Sequence, residues 1–139
     1  MPKKLHDKLV LDSNIIVSSA LNAKFEEIIA LKVVHKIEIY TCAKQIAELE
    51  RTLIKLTDKL KASPEYYTSS FEQLSNLTEI DERFDRSPDP KDNYLFDLAY
   101  QVKSYYLITG EKALLNMKQV NQIKIISMVE FRKTFKDLL

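Results

Sequence analysis

Short β-type runs alternate with helix-length stretches along the chain, and that alternation restricts its fold more than any other feature. Lys8-Leu9-Val10-Leu11, Ile37-Glu38-Ile39-Tyr40-Thr41, Tyr105-Tyr106-Leu107-Ile108 and the run from Ile123 to Ile126 read as strands, with Thr78-Glu79-Ile80 a weaker fifth. Helices are expected over residues 25–34, 43–60, 92–103, 111–117 and 128–139, and another after Pro64, because proline suits a first turn. The stretch 43–60 is the clearest: Ile46, Leu49, Leu53, Leu56 and Leu60 recur at three- and four-residue steps and form one apolar stripe. In the helix after Asp92, the inner face is Leu95, Leu98, Ala99 and Val102. Strands joined through helices run parallel, so the expected architecture is α/β, a parallel sheet with helices on both faces. In such sheets ligands bind beyond the carboxyl ends of the strands.

The chain has 139 residues, 45% of them hydrophobic, enough for one core, and a single domain over residues 1–139 is expected. Gly110 is the only glycine, which suggests a conformationally demanding position there. Lys plus Arg number 21 against 20 for Asp plus Glu, so there is no overall basic footprint for nucleic acid, and any such binding must rest on local arrangement. Cys42 is alone, which rules out an internal disulfide or a cysteine-based zinc site and suggests a buried small hydrophobe. No apolar run approaches the ~20 residues that cross a bilayer, and the start is not that of a signal peptide. No membrane association and a cytoplasmic location are therefore expected. His6 falls in the N-terminal tail and His35 near a helix end, so no Ser/His/Asp arrangement arises.

Sorting the acidic residues by position isolates four. Asp12 ends the first strand, Asp92 opens a helix after the irregular Ser87-Pro88-Asp89-Pro90, and Glu111 lies just past the strand ending at Thr109. Taken singly each has an ordinary reading: Asp12 and Asp92 serve as N-caps, and Glu111 favours a helix start through the dipole. Together, at matching strand ends, they also suit a hard cation such as Mg²⁺, which takes oxygen ligands and relieves the mutual repulsion of the carboxylates. Glu48 is the fourth, on the flank of the 43–60 stripe, with Glu50 on the other flank. Its own ridge reads Lys44, Glu48, Arg51, Lys55, Lys59. This is either a solvated face with i,i+4 pairs of roughly 0.2–0.5 kcal/mol each or a guide for a phosphate backbone. Asp97 differs in helical phase from Asp92 and is expected in solvent.

These residues resemble a known family. Leu9-Val10-Leu11-Asp12-Ser13-Asn14-Ile15-Ile16 resembles the opening of a PIN domain, and Ile46-Ala47-Glu48-Leu49 is similar to the helix carrying that family's second acid. Asp89-Pro90-Lys91-Asp92-Asn93-Tyr94-Leu95-Phe96-Asp97-Leu98-Ala99 resembles the stretch with the third acid, and Tyr106-Leu107-Ile108-Thr109-Gly110-Glu111-Lys112-Ala113 the segment with the fourth. The resemblance, from Lys8 to Phe131, is nearest to bacterial PIN proteins described as toxins of toxin–antitoxin pairs. It implies a three-layer α/β/α sandwich and Mg²⁺- or Mn²⁺-dependent hydrolysis of RNA. Asp12 and Asp92 would be the leading metal ligands, Glu48 completing the set or holding a metal-bound water and Glu111 acting through water, with Ser13 and Thr109 orienting carboxylates. Lys44, Arg51 and Lys55 would meet the nucleic acid, an antitoxin would cover the pocket, and a homodimer is expected. Two departures stand out: Glu111 replaces the usual Asp, and Ala113 stands where another acid is frequent.

Those departures keep a rival open, a PIN fold weakened to an RNA- or protein-binding module. Tyr66, Tyr67 and Phe71 serve either a partner or the core. A phospho-acceptor receiver domain fits poorly, because Lys124 falls inside the last expected strand and Asp81 is only a loose acceptor.

Overall fold

In the computed structural model, residues 8–135 are described. His6 and the last four positions of the expected closing helix lie outside them. The order is β1 (Lys8–Leu11), α1 (Ser13–Leu21), α2 (Phe25–Val33), β2 (Glu38–Thr41), α3 (Ala43–Lys55), α4 (Pro64–Leu74) and β3 (Ser75–Leu77). There follow α5 (Asn93–Gln101), β4 (Tyr106–Ile108), α6 (Lys112–Leu115), β5 (Gln119–Val120), β6 (Ile123–Ile126) and α7 (Met128–Thr134). Single turns of 3₁₀ helix occupy Thr57–Lys59 and Pro90–Asp92.

The strands form one sheet in the order β3-β2-β1-β4-β6-β5, parallel except for β5 against β6. The chain winds outward from β1 through β2 to β3, then crosses back to lay β4 on the other side of β1. The switch point of the sheet is therefore the β1/β4 boundary, where Leu11 stands beside Ile108. Alternation along the strands divides the core into two. Leu9, Leu11, Ile39, Tyr106 and Ile108 face a cluster with Ile16, Ile28, Leu49, Leu53, Phe71 and Phe131. Val10, Leu107, Ile123 and Ile125 face Tyr94, Leu95, Leu98, Ala99 and Leu114 on the other side. The result is the expected α/β/α sandwich.

Several local expectations are corrected. The stripe continues to Leu60, but α3 ends at Lys55, and Leu56 takes non-helical angles before the 3₁₀ turn. Leu60 still packs on the same core, so apolar spacing ran past the backbone's helical end. The third strand is Ser75–Leu77 rather than 78–80: Ser75 Oγ returns to Phe71 O, and the Asn76 amide bonds Ile39 O, so polar residues make this strand. The short β5, an antiparallel edge of two residues, was not expected. On α5 the buried surface is continuous from Tyr94 to Ala99 instead of a stripe. Asp97 is buried, not solvated, and its carboxylate accepts the backbone N–H groups of Arg83 and Phe84. Gly110 has no positive φ, and a Cβ there would meet only Ile15 Cδ1 at 4.0 Å, so the position is undemanding. Ala23, Lys36, Lys103, Lys118 and Asn121 take the left-handed turns instead. Cys42, Tyr67 and Phe71 are buried and Tyr66 is half exposed beside Tyr67. Among the described residues no helix is long and apolar enough to cross a membrane.

Candidate active site

Three acids meet at the switch point: Asp12 and Glu111 leave the adjacent strands β1 and β4 there, and Asp92 ends the connection that arrives from β3. Asp12 follows β1 directly, and its backbone N–H extends the sheet ladder to Ile108 O at 2.8 Å. Its side chain is held from both sides: Oδ2 accepts from Thr109 Oγ1 at 2.8 Å, and Oδ1 from Asn14 N at 3.3 Å. Thr109 follows β4, and its Oγ1 also accepts the Glu111 N–H at 3.0 Å. Asp92 arrives from the other direction, at the end of the 3₁₀ turn that opens α5. That turn is fastened by its neighbours: Asp89 Oδ1 caps it through Lys91 N, and Asn93 Oδ1 accepts from both Ser87 N and Ser87 Oγ.

Carboxylate oxygens of Asp12, Asp92 and Glu111 all lie within 4.8 Å of one another. Each of these acids occupies an N-cap position, of α1, α5 and α6 respectively. The capping explanation nonetheless covers only Asp12, since neither Asp92 nor Glu111 makes a side-chain cap hydrogen bond. Their carboxylates serve the cluster instead.

Glu48 is not part of that group of three but lines the same cleft, about 470 Å³, together with Ser13, Val17, Leu21 and Thr52. Its Oε1 accepts from Ser13 Oγ at 2.8 Å and from Tyr94 Oη at 2.7 Å. The two hydroxyls are themselves 3.3 Å apart. Lys44, Arg51 and Lys55 are not brought to the cleft wall. Lys44 pairs with Glu82 at 2.6 Å, while Arg51 and Lys55 are exposed further along α3.

The electrostatics are those of uncompensated charge. Burial raises the Asp12 carboxyl above its usual range, opposed by the hydrogen bonds from Thr109 and Asn14 and reinforced by the charges of Glu111 and Glu48. The Asp92 carboxyl is pushed up to about 8, first by burial, then by its hydrogen bond with Glu111 and the charges of Asp12, Glu111 and Asp89. The Tyr94 phenol is raised as well, chiefly by burial, so it remains a proton donor. No lysine, arginine or histidine lines the cleft, and none of the ion pairs among the described residues involves these acids. An all-oxygen donor set with no protein cation suits Mg²⁺ or Mn²⁺, and the group of three carboxylates fits such an ion.

Sequence reasoning passed over two residues that shape this site. Tyr94 was visible only as part of a motif; its placement two residues after Asp92 was the signal available, and its burial on α5 came only with the structure. Gln45 lies on the buried side of α3, where its amide nitrogen donates to Leu11 O at 2.6 Å and its oxygen accepts from Thr41 Oγ1 at 2.6 Å. It thereby fixes the end of β1 from which Asp12 projects. A buried glutamine must satisfy both ends of its amide, which marks such a residue as an organiser.

The PIN-domain family profile matches residues 8–113. No curated protein and no solved structure matches the chain. The matched stretch contains all four acids and most of the chain, so the protein belongs to the PIN-domain family, whose members are generally nucleases that use divalent metals.

Proposed function

We propose that this PIN-domain protein is a metal-dependent endoribonuclease. The observation that carries the reading is the convergence of Asp12, Asp92 and Glu111 within 4.8 Å at the switch point, without any protein cation in their cleft. Asp12, Asp92 and Glu111 hold Mg²⁺ or Mn²⁺, and Glu48 completes the ligand set. When bound, the ion polarises the phosphodiester and lowers the pKa of a water molecule.

The remaining work is done by the chain's own groups. Thr109 and Asn14 orient Asp12, so that carboxylate does not swing when the substrate arrives. Ser13 does the same for Glu48. Val17 and Leu21 give the cleft an apolar wall beside the acids, against which a nucleotide packs. Arg51 and Lys55, exposed on α3 beyond Glu48, supply positive charge that draws the RNA backbone towards the opening. By its resemblance to the bacterial branch, the protein acts in the cytoplasm as the toxin of a toxin–antitoxin pair, as a homodimer whose antitoxin covers the acidic cleft.

The test is cleavage of a mixed RNA pool with Mn²⁺ or Mg²⁺, using wild-type protein, Asp92→Asn and an EDTA control. Metal-dependent cleavage lost in the variant is the expected result. Wild-type protein inert with both metals across several RNAs would instead identify a PIN fold retained for binding, consistent with Glu111 in place of the usual Asp and Ala113 in place of a further acid.

A further inference from the structure

Glu48 differs from the other three acids in how it is held. Asp12, Asp92 and Glu111 follow strand or loop ends, whereas Glu48 stands on the surface of α3, where a long side chain ordinarily samples several rotamers. Here its Oε1 receives two hydroxyl donors, Ser13 Oγ at 2.8 Å and Tyr94 Oη at 2.7 Å. Among the described residues no hydrogen-bond donor reaches Oε2. Both donors are tied by the backbone to another acid: Ser13 is adjacent to Asp12, and Tyr94 is two residues beyond Asp92. Ser13 is itself a small rotor, but the Tyr94 ring is 2% exposed and packed in the second core cluster, so its hydroxyl is a rigid stop. A phenylalanine would fill the same space, so packing does not account for the hydroxyl.

We infer that Tyr94 is a positioning residue for the fourth acid: its buried phenol holds Glu48 by one oxygen and leaves the other to complete the metal-binding set. The inference rests on the nuclease reading for its consequence, but not for the geometry it describes. Tyr94 thereby links α5 to α3 from within the core, setting the place of Glu48 relative to Asp92.

Tyr94→Phe removes only the hydroxyl. The expected result is a folded protein with about tenfold weaker Mn²⁺ binding by calorimetry, the lower end of what such supporting contacts contribute. With Mn²⁺ saturating, kcat for RNA falls while KM stays unchanged. In a Glu48→Ala background the same substitution should have no further effect on Mn²⁺ affinity, because it acts through Glu48. An equal loss in both backgrounds, or unchanged Mn²⁺ binding in Tyr94→Phe, overturns the inference. A metal-free readout separates this from failure of the nuclease reading: the Glu48 carboxyl carbon resonance in ¹³C-labelled protein, assigned by its loss in Glu48→Gln. If wild-type protein neither binds Mn²⁺ nor cleaves RNA, the nuclease reading falls. A shift of that resonance in Tyr94→Phe still establishes the brace, and an unmoved resonance rejects it.

Discussion

Two acidic sites on the same sheet show opposite treatment of negative charge. Glu38 opens β2, at the amino end of the strands, and is surrounded by donors: Lys32 Nζ reaches its oxygens at 2.9 and 2.8 Å, and Asn76 Nδ2 at 3.0 Å. The Asn76 hydrogen bond, then that from Lys32, holds its carboxyl below the ordinary range. At the carboxyl end, Asp12 and Asp92 are given each other and Glu111, and both are raised. An acid that only ties a fold together is supplied with a cation and donors. Acids left facing one another in a cleft are held in conflict by the rest of the structure, a conflict of the kind that a bound divalent ion would relieve.

The largest expected effect separates the two sites by activity. Asp12→Asn should lower kcat/KM for RNA on the order of 10³-fold, since charge stabilisation by a metal amounts to several kcal/mol. Glu38→Gln should leave kcat/KM within about a factor of two, as expected where a group sits far from the reacting atoms. Comparable losses in both variants, from steady-state assays under the same conditions, would erase the distinction.

An intermediate effect is the pH dependence of stability, with opposite signs at the two sites. Asp92 rises from 3.8 to about 8 on folding, so between those values the folded state carries the extra proton. Its contribution to stability is complete below about 4 and is lost as pH climbs towards 8. Glu38 is lowered on folding, so its contribution is present above the ordinary 4.5 and disappears as pH falls through its folded value. Thermal melts should therefore show Mg²⁺ raising the Tm more at pH 8 than at pH 5.5, where the proton on Asp92 already removes one of the facing charges. Equal Mg²⁺ shifts at the two pH values would count against a shared proton on Asp92.

The smallest effect is on the metal-free fold. Asp92→Asn should raise the Tm by a few degrees at pH 8 in EDTA, because it removes a charge facing two other carboxylates. Glu38→Gln should lower it slightly, since a partly exposed ion pair contributes about 1 kcal/mol or less. A lower Tm in metal-free Asp92→Asn would show that the residue is a structural cap after all, although no side-chain cap hydrogen bond is present.

The parts of this molecule legible in its sequence are those written in local patterns. Lys8 to Leu11, with Asp12 after it, reads as a strand and a turn because β-type residues end abruptly at a capping acid. Pro64 marks the start of α4 in the same way, and the structure adds Ser63 as its cap, with Ser63 Oγ accepting from Tyr66 N. The third strand was misplaced because Ser75 and Asn76 have little strand preference of their own and pair with β2 only once α4 has delivered them there. Asp97 was misread because helical phase gives direction but not what lies in that direction, and the loop bearing Arg83 and Phe84 folds over it.

The sequence by itself therefore determined the alternation of strands and helices, and through it the α/β class, together with the places of Asp12 after the first strand and Glu111 after β4, since each is read from neighbours a few positions apart. Only the tertiary structure decided that β4 crosses back beside β1, bringing Thr109 to Asp12 and Asp92 to Glu111, and that Tyr94 reaches Glu48 from 46 positions away. Such contacts arise from how whole elements pack, and the free energy of packing is spread over two cores rather than written in any one segment.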